Sequence, residues 1–249
     1  MKFSYPFLTV LNDLNGITDE LILVGGWVPT VYFEYLWKSP RDFFKTTDID
    51  LAFPFLGVKQ VGSIEKEINQ LSSKKPYNRK HLNLGKEKPW QLVLNSNVEI
   101  DFLADAKEAD KIRERILGKD VILNESKKYD FLLKEPLEIK CEGVLVRVPQ
   151  PIRYIIHKIF VYLQNKKDRK KDLATAYYCL TRSPQKDALV LELSQLHSEE
   201  ILKIIEAERK HFIESQSTPA IRDIQSTLIT LGIREDSQDI LEGLRVFFE

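Results

Sequence analysis

The run Thr47-Asp48-Ile49-Asp50-Leu51-Ala52-Phe53 most narrows what this chain of 249 residues can fold into. Acidic residues are poor strand formers, yet two of them alternate here with Ile49 and Leu51. Successive side chains of a strand point to opposite faces. The spacing therefore predicts a strand over residues 48–53 with both carboxylates on one face and the apolar side chains on the other. Carboxylates held side by side repel, and the repulsion is relieved by protonation, by a basic partner or by a divalent cation. Hard oxygen donors of this kind suit magnesium. Asp48 and Asp50 are accordingly the first candidate metal ligands.

Two further stretches take their meaning from that strand. Upstream, Leu21-Ile22-Leu23-Val24 is an apolar run that stops on Gly25-Gly26, which reads as a buried strand entering a tight turn. A helix is expected over 28–37, with Pro29 tolerated in its first turn and Val28, Val31, Tyr32 and Tyr35 at helical spacing. A helix start beside Gly25 and Gly26 offers unpaired N–H groups and a positive dipole end, which suits a triphosphate. The alternative is a glycine turn imposed by close packing. Downstream, Val98-Glu99-Ile100-Asp101-Phe102-Leu103 is a second alternating strand. If it lies beside the first, Asp101 completes a triad of carboxylates, with Glu99 on the same face as a competitor.

A glycine pair, a helix, Asp-x-Asp on a strand and a lone Asp on a later strand, in that order, resemble the nucleotidyltransferase superfamily of polymerase beta type. Within it, Val24-Gly25-Gly26-Trp27, Thr47-Asp48-Ile49-Asp50-Leu51 and Arg169-Lys170-Lys171-Asp172 are similar to the AbiEii/AbiGii toxin-type nucleotidyltransferases. The resemblance implies a nucleoside triphosphate (NTP) substrate and two Mg2+ ions shared by Asp48, Asp50 and Asp101. It implies in-line attack on the α-phosphorus with pyrophosphate leaving. Asp101 would hold the ion that acidifies the acceptor hydroxyl, or would take its proton. It further implies nucleotide binding by Gly25, Gly26, Lys158, Arg169 and Lys171, an RNA acceptor such as the 3′ end of a tRNA, and a neutralising antitoxin partner. The chain departs from the family pattern at Trp27, where a small hydroxyl residue is usual, at Thr175, where a second acid is usual, and in the longer segment 38–45. Two other readings stay open: a small-molecule adenylyltransferase of the antibiotic-modifying sort, and a catalytically degenerate copy acting as a binding module.

Whole-chain charge is silent on nucleic acid, because 37 basic and 37 acidic residues cancel. Local charge is not: residues 151–182 carry an excess of six positive charges, and residues 183–249 are acidic. Cys141 and Cys179 have no metal-ligand spacing and are expected as reduced thiols. No segment is apolar enough for a membrane span and the start does not resemble a signal peptide, so a cytoplasmic location is expected.

The remaining pattern predicts an α+β fold. A nucleotidyltransferase-type mixed sheet flanked by helices over 1–150 is followed by a helical domain over 151–249, with Pro149-Gln150-Pro151 as punctuation. Helices are expected at 3–14, 61–71, 106–116, 152–163, 169–180, 199–213, 220–231 and 237–248. Hairpins are expected at 90–94 with 98–103 and at 137–141 with 144–148. Residues 74–88, rich in bases, read as a solvated loop or a flap.

Overall fold

The computed structural model describes residues 4–14, 21–40, 46–54, 61–81, 90–95, 97–107, 109 and 122–248. The chain divides into two compact units, Met1–Val31 with Lys45–Gln150, and Tyr32–Phe44 with Pro151–Glu249. Most of the helix expected over 106–116 lies outside the described residues.

The first unit is built on a mixed sheet of β1 (Ile22–Val24), β2 (Ile49–Ala52), β3 (Tyr77–His81), β4 (Trp90–Leu94), β5 (Val98–Asp105) and β6 (Leu123–Ser126), in the order β1-β2-β5-β4-β3 with β6 also on β5. β1 runs antiparallel to β2, β2 parallel to β5, and β5, β4 and β3 alternate. Ile100 pairs with both β2 and β4, and Phe102 with both β2 and β6. Hence β4 and β6 share the edge of β5 that faces away from β2. The alternation read in the sequence is realised: Ile49, Leu51, Ile100 and Phe102 are at most 1% exposed. Burying each such side chain is worth roughly 1.5–3 kcal/mol, which fixes the register and turns the acids to the other face.

A hairpin of β7 (Leu137–Cys141) and β8 (Val144–Val148) turns on Glu142 and Gly143, both in the left-handed region as a two-residue hairpin loop requires. Helix α1 (Pro6–Asp13) and β1 both pack on β8. The loop expected over 74–88 is in part a strand. Tyr77 is buried, while Asn78, Arg79, Lys80 and His81 are exposed and take their backbone partners from β4. A polar edge strand of this kind has no apolar alternation to announce it.

The helix expected at 28–37 is irregular: a 3-10 turn Gly25–Trp27, an α-helical turn α2 (Val28–Thr30) and a π-helix Val31–Leu36, closed by the Trp37 amide on the Tyr32 carbonyl at 2.7 Å. Tyr32 and Phe33 join the helical unit because their rings meet Tyr154 and Tyr178 edge-on at 5.7 Å. That unit continues with α5 (Pro151–Gln164), α6 (Lys170–Arg182), α7 (Lys186–Gln195), α8 (Glu200–Ala207), α9 (Arg209–Ile213), α10 (Pro219–Ile229) and α11 (Ser237–Phe248), after α3 (Val61–Ser72) and α4 (Tyr129–Leu132) of the first unit. The single helix expected over 199–213 breaks at Glu208. α7 was not anticipated, since only Leu189 and Leu193 are buried and Leu191 is exposed. Cys141 and Cys179 are free and buried, and burial holds the Cys179 thiol well above its ordinary range. No helix among the described residues is long and apolar enough to cross a membrane.

Candidate active site

The acidic residues meet through strand register. In the parallel ladder Asp50 is the direct partner of Asp101, and on the other side Asp50 pairs with Val24, the residue before the glycine turn. Neighbouring strands lie about 4.8 Å apart, so the two carboxylates rise side by side from one face. Asp48 precedes β2 by one residue, on that same alternation. It is exposed, and its Oδ1 accepts from the Thr47 hydroxyl at 3.1 Å. Gly25 follows β1 with φ +71°, and a Cβ built on it would lie 1.7 Å from Asp50 Oδ2. Only glycine fits against that carboxylate.

Asp101 is held from the far edge. Gln91 Nε2 donates to its Oδ1 at 2.6 Å and Asn124 Nδ2 to the same oxygen at 3.0 Å. Burial raises its proton affinity most, the nearby charges of Asp48 and Glu99 raise it further, and the two amides pull it back. Glu99 differs: Lys80 of β3 closes an ion pair with it. The competitor on the same face is thereby neutralised, whereas Asp101 stands opposite Asp50. Asp105, further along β5, accepts the backbone N–H groups of Lys107, Tyr129 and Asp130 and so caps α4.

The donor set consists of carboxylate oxygens, a chemistry that fits a hard divalent ion. Among the described residues no three acidic, histidine or cysteine side chains form a ready cage.

Trp27 packs against Tyr5 and Phe7, with ring centroids 5.6 and 5.4 Å away, and is half-buried in this aromatic group. A Cβ on Gly26 would come within 2.8 Å of the Thr46 side chain, so both glycines have a packing reason.

A family model described as Nucleotidyltransferase matches residues 4–197. The chain belongs to this nucleotidyltransferase family. It is thus an enzyme of the nucleotidyltransferase class. No curated protein matches it. Among solved structures, ANT(2″)-Ia in complex with adenylyl-2″-tobramycin aligns at 13% identity over 82% of this chain and 99% of that one, with a TM-score of 0.38. A solution structure of ANT(2″)-Ia gives 16% identity, 82% and 97% coverage and 0.41. An antigenic nucleotidyltransferase-like protein from Paracoccidioides brasiliensis gives 12%, 88% and 93%, and 0.42. Likeness at such TM-scores carries no argument about substrate.

In this nucleotidyltransferase the basic residues singled out from sequence belong to the helical unit. Lys158 Nζ lies 2.5 Å from Asp172 Oδ1, with both side chains largely buried, and Arg169 reaches the other oxygen of Asp172 at 3.8 Å. Lys171 is exposed at the start of α6. The rest of the basic stretch is also drawn into pairs: Lys166 with Glu208 at 2.9 Å, Lys170 with Asp223 at 2.7 Å, and Arg182 with Glu235. Three of the six excess positive charges are thereby matched by acids from further along the chain, Glu208, Asp223 and Glu235. Three residues of the sheet face escaped the sequence reading, namely Gln91, Asn124 and Lys80. Gln91 had a signal, being the one polar residue of the buried run Trp90–Leu94. Asn124 and Lys80 had none.

Proposed function

We propose that the Asp48, Asp50 and Asp101 face carries out magnesium-dependent transfer of a nucleoside monophosphate from an NTP to a hydroxyl. The observation that supports this is the direct pairing of Asp50 with Asp101 across a parallel ladder, beside a glycine turn whose missing Cβ makes room for the Asp50 carboxylate. Asp48, Asp50 and Asp101 would hold the magnesium. When bound, the ions would offset the charge of the phosphates and of the entering and leaving oxygens. Backbone N–H groups at Gly25 and Gly26 would receive phosphate oxygens. Asp101 would accept the acceptor's proton while that oxygen forms its bond to the α-phosphorus and the bond to pyrophosphate breaks. Its raised proton affinity suits a base. The nucleotide role of Lys158, Arg169 and Lys171 rests on the resemblance alone.

The toxin-type resemblance favours an RNA acceptor, such as a tRNA 3′ end, with an antitoxin protein as partner. A second reading, a small hydroxylated acceptor, is favoured by the ion pairs of Lys158, Lys166, Arg169, Lys170 and Arg182. They bring in three acids from outside residues 151–182 and so leave about half of the excess positive charge for a polyanion to meet. A cytoplasmic setting, with both thiols reduced, accompanies either reading.

The test is transfer of α-phosphate label from each of the four NTPs, with Mg2+, into total RNA and into a pool of small hydroxylated metabolites. Wild type is expected to label one pool and Asp50→Ala neither. Equal labelling by the variant would overturn the site. No labelling by wild type, although Mg2+ with an NTP raises its melting temperature, would leave a binding module in place of an enzyme.

A further inference from the structure

We infer that Gln91 and Asn124 are positioning residues that clasp one oxygen of Asp101 and so commit the other, Oδ2, to the chemistry. The inference rests on the role proposed above for Asp101. Gln91 is only 8% exposed, in a strand whose other residues are all buried apolar ones. A polar amide in such a place is costly unless it is hydrogen-bonded. The antiparallel pairing of Leu92 with Ile100 sets Gln91 across from Asp101, and the parallel pairing of Leu103 with Asn124 brings Asn124 to the same face from β6.

The two amides thus arrive from two different strands, both on the edge away from Asp50, and both bond Oδ1. A carboxylate offers about four lone-pair sites, and solvation alone would spread two donors over both oxygens. Loading one oxygen instead fixes the terminal torsion, which is otherwise broad and roughly two-fold. Among the described residues Oδ2 accepts no hydrogen bond. Partners that orient a ligand in this way typically change metal affinity or activity by roughly 10–100-fold when removed.

The experiment uses Gln91→Leu, Asn124→Ala and Asp101→Asn in the whole chain. Mn2+ binding, alone and with ATP, is followed by electron paramagnetic resonance, alongside kcat and KM for the productive triphosphate. Each amide variant is expected to weaken Mn2+ binding in the presence of ATP by about tenfold and to lower kcat with KM little changed. Combined with Asp101→Asn, neither should add to its loss, since both amides act only through the Asp101 carboxylate. Asn124 is exposed, so Asn124→Ala decides the matter if Gln91→Leu does not fold. A fall in melting temperature with Mn2+ binding and kcat at wild-type levels would reduce both amides to structural ties and overturn the inference. If Asp101→Asn itself leaves Mn2+ binding and turnover intact, it is the site reading that fails.

Discussion

The acidic face of the sheet and the basic stretch of the helical unit treat charge in opposite ways. On the sheet, Asp50 pairs directly with Asp101, whose carboxylate is met by two amides, and Glu99 is given the cation of Lys80. In the helices nearly every charge that looked available in the sequence has a partner of opposite sign. A group of like charges costs stability unless something else requires it. A set of matched pairs requires nothing further. The contrast is the reason the chemistry is proposed for the first region and a packing role for the paired charges of the second.

The sharpest way to break that contrast is Asp50→Ala. Loss of a metal ligand worth several kcal/mol in the transition state corresponds to about a thousandfold in rate, with the metal-free melting temperature unchanged or higher. Retention of more than a tenth of wild-type transfer would show that the crowded acids are decoration. Gly25→Ala comes next: its methyl would displace the Asp50 carboxylate, and misplacement by about an ångström costs about a hundredfold. Gly143→Ala is the control, equally left-handed but facing open space, so its activity should match wild type.

On the helical side, Lys158→Met is expected to destabilise by about 3 kcal/mol, because it strands Asp172 with only the distant Arg169. Lys158→Met with Asp172→Leu should recover most of that in a denaturant melt. If the double variant is stable yet loses NTP affinity in a binding titration, Lys158 serves the nucleotide and the division drawn above is too clean.

The smallest effect concerns pH. Folding raises the proton affinity of Asp101, so its contribution to stability is fully present below the unfolded pKa and is lost as pH rises through the folded value. Metal-free wild type should therefore lose melting temperature across that range, and Asp101→Asn, which keeps an oxygen for both amides, should lose less. Identical pH profiles of the two proteins would show that neither burial nor the neighbouring acids raise the proton affinity of Asp101 on folding.

Much of this was legible in the chain because period-two alternation is a strong signal. It fixed which face each of Asp48, Asp50, Glu99 and Asp101 would take, and it gave both hairpins. It could not choose between Glu99 and Asp101 as the partner of Asp50, since the two differ only in register, and register depends on β2 and β5 meeting. Lys80 was hidden for a related reason: its strand is polar at four of five positions and exists through pairing with β4. The basic stretch misled in the other direction. A run of charges shows its own sign but not the acids that a later stretch of chain will lay against it: Glu208 comes from a break between two helices, Asp223 from α10 and Glu235 from the connection before α11.

The pairing of Asp50 with Asp101 also has a bearing on how the enzyme comes into being. The two residues are 51 positions apart and adjacent only through a parallel ladder, whereas the most extensive helix pairing of the helical unit, α5 on α6, joins neighbours in sequence. Closing a long loop must be accomplished before a distant contact yields anything, and parallel pairing is slow for that reason. Newly made chains should thus acquire helical signal before they acquire the ability to bind Mn2+, and a refolding experiment that follows both should see the metal site appear last.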